Sequence, residues 1–172
     1  MKWMIAAAGL VALSLSGCGQ QAAPRESDAQ QATQAERYVF EVSQDVAGVY
    51  VPASDYALRN WRLKQVSLGH ADAFAAWDAT GRAASAAPVK LVFEDRQDIN
   101  AETGQPRTLT LISAAFDLRD DKVVIEAVSG GLGEVRFDGA LDGQGEAAAL
   151  KGQLKIGTQI FENTELKLKT GG

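Results

Sequence analysis

Leu150-Lys151-Gly152-Gln153-Leu154-Lys155-Ile156 decides the fold. Its aliphatic residues stand at 150, 154 and 156 and its polar ones at 151, 153 and 155. Successive side chains of an extended chain point to opposite faces, so this spacing predicts a strand with one apolar and one wet side. Leu166 and Leu168 against Lys167 and Lys169 repeat the pattern downstream. Upstream, Val135 and Phe137 lie between two turn signals, Gly130-Gly131 and Asp142-Gly143. Asp120-Asp121 separates a run over 109–118 from Val123-Val124-Ile125, which predicts a tight hairpin. Val89, Leu91 and Phe93, and before them Tyr38, Phe40 and Val42, alternate in the same way.

Clean alternation implies antiparallel strands solvated on one side. Roughly eight such strands at short spacing fill residues 37–172. The expected fold is therefore mainly β, an antiparallel β-sandwich or partly closed barrel forming a single domain. No alternation of strands with long helical patterns points to a parallel sheet. Two short helices are expected to interrupt the strands. Ser54 would cap one through Tyr56, Leu58 and Arg59, and Asp72 one through Phe74 and Trp77, although residues 73–79 also fit a strand. Phe137-Asp138-Gly139-Ala140-Leu141 and Leu150-Lys151-Gly152-Gln153-Leu154 share a central glycine. It is read as a twist or bulge position in adjacent strands rather than a binding motif.

The first 17 residues have another character. Lys2 gives a basic start, Ile5 and the residues up to Leu15 a short apolar core, and Ser16 and Gly17 small residues before Cys18. This is the pattern of a secretory signal peptide, too short for a good membrane-spanning helix. Leu15-Ser16-Gly17-Cys18 resembles the lipobox of bacterial lipoproteins, and the resemblance covers only the first eighteen or so positions. It implies cleavage between Gly17 and Cys18, an S-diacylglycerol on the Cys18 sulfur, and acylation of the new amino group. Gly19, where an aspartate would tend to retain such a protein in the inner membrane, favours the outer membrane facing the periplasm. Without the resemblance, the stretch is a signal peptide followed by the chain's single thiol, which has no partner for an internal disulfide.

Residues 18–36 are expected to be the lipidated cysteine and a flexible tether, since Gln, Ala, Ser and acids predominate and nothing aliphatic exceeds alanine. As a flexible chain, roughly 18 residues span about 25 Å. A transient helix over the Ala- and Gln-rich residues 28–36 is the alternative. The formal charge is −5, about −6 once Lys2 is removed. This charge argues against nucleic-acid binding and against adsorption to anionic headgroups, leaving the lipid anchor as the expected membrane contact.

No motif assigns a catalytic residue, cofactor or metal. His70 is the only histidine and is read as a loop residue. A triad would also need a nucleophile and an orienting acid, and no Gly-x-Ser-x-Gly elbow is present. Asp98, Asn100 and Glu102 mimic the start of a calcium loop, but Thr103 and Leu109 replace the required glycine and bidentate glutamate. A polar hairpin loop closed by Gly104 and Pro106 accounts for the same residues, and a solvated turn accounts for Asp117, Asp120 and Asp121. Trp61 and Trp77 are expected to pack in the core, with stacking on glycans as the alternative. The Lys151, Lys155, Lys167 and Lys169 face either keeps exposed strands soluble or meets an acidic partner or lipid A phosphates.

The expectation is thus a lipid-anchored, non-enzymatic binding module, with an envelope protein or a hydrophobic ligand as partner. Recognition would use edge strands or a small apolar concavity. Its rivals are a cell-envelope hydrolase using Asp or Glu, and a carrier enclosing a ligand in a β cavity.

Overall fold

In the computed structural model, which describes residues 37–169, the alternation becomes burial. Leu150, Leu154 and Ile156 are fully buried while Lys151 and Gln153 are exposed; Val89, Leu91 and Phe93 are buried in the same way. The leader, Cys18, the tether and residues 170–172 lie outside the described residues.

Among the described residues eleven strands form where roughly eight were expected. They are β1 (Tyr38–Glu41), β2 (Gly48–Pro52), β3 (Ala57–Leu58), β4 (Trp61–Leu68), β5 (Val89–Ile99), β6 (Pro106–Ile112), β7 (Ala115–Arg119), β8 (Lys122–Ser129), β9 (Gly133–Asp142), β10 (Ala149–Ile156) and β11 (Gln159–Leu168). An α-helix, α1 (Ala71–Ala79), sits between β4 and β5, followed by a 3-10 turn at Ala84–Ala86. Hydrogen bonding orders the sheet β1-β7-β8-β9-β10-β11-β2-β4-β5-β6, with β3 attached to β4. The result is a curled half-barrel, the partly closed alternative of the two expected architectures.

Two features account for the curl. Gly139 of β9 lies opposite Gly152 of β10. A Cβ on Gly139 would stand 2.8 Å from the Gly152 Cα, and one on Gly152 would stand 2.5 Å from the Gly139 Cα. Only glycine permits that backbone approach, and the β10–β11 register shifts directly after Gly152. The second feature divides the run 109–118. At Ser113-Ala114 the chain leaves β5 for β8: the Ser113 N–H donates to the Val89 carbonyl at 3.2 Å, and the Ala114 N–H to the Glu126 carbonyl at 2.7 Å. One bent strand thereby changes partners, as strands do at the corner of a packed β structure. The bend leaves the buried Ser113 hydroxyl without a hydrogen-bond partner.

Three local expectations need correction. Ser54 starts no helix; Ala57 and Leu58 instead pair with Arg62 and Trp61, and Arg59 makes the turn at φ 58°. Helix α1 starts before Asp72, so His70 occupies the N-cap position and Asp72 lies in the first turn, where its charge suits the helix dipole. Phe74 and Trp77 are both buried, as their helical spacing requires. The sheet is not wholly antiparallel, because β1 runs parallel to β7 from Tyr38↔Phe116 to Glu41↔Arg119. The turns at Asp120-Asp121, Gly130-Gly131 and Asp142-Gly143 join consecutive strands as read.

A single core fills the concave side, with Tyr50, Phe93, Phe137, Leu118 and Ile125 among its fully enclosed side chains. The Tyr50 hydroxyl donates to the Val46 carbonyl at 2.8 Å. Burial, with help from the Asp45 charge, pushes its phenol up to about 12. Because the raised value belongs to the folded state, the associated stability is complete below the ordinary tyrosine range and is lost as pH rises towards 12. The loss amounts to roughly 3 kcal/mol. Denaturant titrations at alkaline pH should show that decline, and Tyr50→Phe should flatten it while costing about 1 kcal/mol at neutral pH. An identical alkaline decline in the variant would assign the loss to other groups.

Candidate functional site

Phe74 and Trp77 of the helix pack on Phe116 of β7. Strand β1 completes the layer. Tyr38 meets the Trp77 ring edge-on with centroids 5.1 Å apart, and Phe40 stacks on Phe74 at 3.9 Å. Phe116 of β7 lies beneath all three of Tyr38, Phe74 and Trp77, at 5.4, 5.3 and 5.8 Å. The Trp77 Nε1–H donates to the Ala83 carbonyl at 3.0 Å, which fixes the indole. These rings line an open cleft of about 420 Å³.

Arg82 borders the cleft. Its guanidinium lies 4.8 Å from the Tyr38 ring centre and 5.9 Å from that of Trp77, and its Nε donates to Asp78 at 2.9 Å. A second cleft of about 530 Å³ shares Phe40 and Ala71 with the first and continues past Val42 to Asp45, His70 and Asp72. The two form one groove along α1, aromatic at one end and acidic at the other. His70, exposed as expected of a loop residue, has its Nδ1 3.4 Å from the Asp45 carboxylate.

Strand β1 is secured beyond its ring contacts. Arg119 pairs with Glu41 at 2.8 Å, and Asp120, read as part of a solvated turn, accepts the Ser43 N–H at 2.7 Å. Its neighbour Asp117 is engaged by Arg119 and Lys122. Burial pushes the Asp117 carboxyl up, but hydrogen bonds and charge from these two partners outweigh it and hold the group below the ordinary carboxylate range. Asp95 is held low by the Gln97 N–H and the Asn60 side chain. A general acid requires the opposite displacement.

The other sequence candidates are engaged in structure. Asn100 accepts the N–H groups of both Glu102 and Thr103 at 2.9 Å, so it organises its own loop, and Asp98 faces Arg107 at 3.5 Å. Three lysines of the 151–169 face are neutralised: Lys151 by Asp142 and Glu165, Lys155 by Glu134, and Lys167 by Glu165. That face is a charge-paired surface rather than a basic patch. Trp77 is a core residue and Trp61 is half-buried against the core. A further cleft beside β2 and β4 holds Arg62 and Lys64, both directed onto the buried Glu94.

The sequence suggests a small apolar concavity but does not locate it. The groove's aromatic end draws on β1, α1, the segment after α1, and β7, its acidic end on the segment after β1 and the start of α1, and its rings read in sequence only as ordinary strand and helix apolar positions. No protein-family model, no curated protein and no solved structure matches the chain.

Proposed function

We propose that this protein is a non-enzymatic binding module, tethered to the bacterial outer membrane by lipid on Cys18, that recognises an envelope partner through the groove between β1 and α1. One observation carries the recognition half: the half-buried rings of Tyr38 and Phe40 on β1, backed by the buried Trp77 of α1, line an open trough at the edge of the core. Exposed aromatic concavities are favoured recognition surfaces because they offer large contact areas at little entropic cost. The concave interior, by contrast, is filled by side chains, which disfavours a carrier with its ligand between strands.

Leu15-Ser16-Gly17-Cys18 supports the anchoring half. Two or three acyl chains on Cys18 would give stable attachment, since each buried methylene contributes about 0.8 kcal/mol and a single chain is marginal. The cleft borders the first described strand, so the domain would present it at its tethered end.

Both halves are tested in the native envelope. Mass spectrometry of the purified protein should find Cys18 as the acylated first residue; a free thiol there, or a retained leader, refutes the anchor. A photo-crosslinking residue at Phe40 should capture a discrete envelope component, while one at Gln153 on the convex face should not. Equal capture at both positions refutes the groove as the recognition surface.

A further inference from the structure

We infer that the groove accepts an extended basic segment of a partner protein, seating an arginine or lysine over Phe40 between Asp45 and Asp72; this rests on the groove being the recognition surface. The aromatic end already contains this arrangement in miniature. Arg82 lies over the Tyr38 ring while its Nε is held by Asp78, so one cation is shared between a ring face and a carboxylate. The acidic end repeats the surroundings: Phe40 lines the trough there, with Asp45 and Asp72 on its walls.

Among the described residues neither Asp45 nor Asp72 is paired with a lysine or arginine, and His70 is the only basic group recorded against Asp45. On the convex face, Asp117, Glu126, Glu134, Asp138, Asp142 and Glu165 all meet Lys or Arg. Two carboxylates without a Lys or Arg partner, lining the same cleft as an aromatic ring, complement a cation carried on an apolar stem, through both charge and the ring quadrupole. The open trough favours a side chain laid in from a peptide over an enclosed small molecule, which would need most of its surface covered. Among the described residues strand β1 has only β7 as a neighbour, so its other edge can receive the peptide backbone.

The test uses full-length lipidated protein in nanodiscs and a synthetic acetyl-Ala-Arg-Phe-Ala amide, followed by NMR of the groove amides. The arginine peptide should shift the Phe40, Ala71 and Asp72 signals saturably, and its citrulline counterpart should bind at least tenfold more weakly. The exposed substitutions Asp45→Asn and Asp72→Asn, made together, should lower arginine-peptide affinity by a similar factor, with only the small loss of thermal stability expected from removing the Asp72 charge at the start of α1. Equal binding of the citrulline peptide overturns the cation inference and leaves the groove standing as a recognition surface. Groove signals unmoved by either peptide overturn the inference; if Phe40 crosslinking also captures nothing, the groove reading fails as well.

Discussion

Gly139→Ala is expected to destabilise the protein by about 3 kcal/mol or more, at the upper end for overpacking, because nothing nearby can yield. The new methyl would collide with the Lys151 carbonyl oxygen and lie 2.8 Å from the Gly152 Cα, both main-chain atoms of the neighbouring strand. A flexible side chain would swing aside, whereas here β9 and β10 would have to separate. Their register runs over eight residue pairs from Ala149↔Asp142 to Ile156↔Val135, so separation at the centre disturbs the whole ladder. Gly130→Ala is the control. It adds the same methyl in a turn with nothing within 4 Å and should shift stability by less than about 0.5 kcal/mol. Urea unfolding of the two variants reads the difference directly. If both behave like the parent, the close approach of β9 to β10 is refuted.

Phe116→Ala should be comparably damaging and reveals a different dependency. Phe116 is almost wholly buried and touches Tyr38, Phe74 and Trp77, the side chains that join β1 and α1 to the sheet. Truncating a buried phenylalanine costs about 3–5 kcal/mol, and the lost ring pairings account for about 0.5–1.5 kcal/mol each beyond their area. The expected signature is a lower urea midpoint together with faster amide exchange at β1 and α1 than at β9 and β10. Phe116→Leu should recover part of the loss by refilling the volume. A cost below about 1 kcal/mol for the alanine variant would mean that the rings do not form a packed unit.

Legibility in the sequence followed the range of the determining interactions. The alternation of β5, β10 and β11 and the turns at Asp120-Asp121, Gly130-Gly131 and Asp142-Gly143 are local, and they appear in the structure where they were read. The glycine pair was also legible, because Gly139 and Gly152 sit at equivalent points of two similar segments that become neighbours. The parallel placement of β1 was not. It depends on Tyr38 and Phe40 reaching α1 and β7, and no spacing along the chain encodes a contact between residue 38 and residue 116. Ser54 and Tyr56 misled for a related reason. Their helix-like start was overridden by Leu58 and Trp61 pairing across a turn, with the Tyr56 hydroxyl taking the Glu165 N–H at 3.0 Å. The groove combines these long-range effects, so its ring chemistry was visible residue by residue while its assembly was not.

The parallel attachment of β1 has a mechanical consequence. Tension applied through the chain ahead of Tyr38 reaches the domain at the first of four residue pairs, and Tyr38 is the side chain loaded first. Phe40 follows, then the Glu41–Arg119 pair, and the Ser43–Asp120 bond bears the load last. Pulling would therefore strip away one wall of the groove while the β8–β11 ladder stayed intact, so that grip on a bound segment would weaken under load before the domain itself gave way.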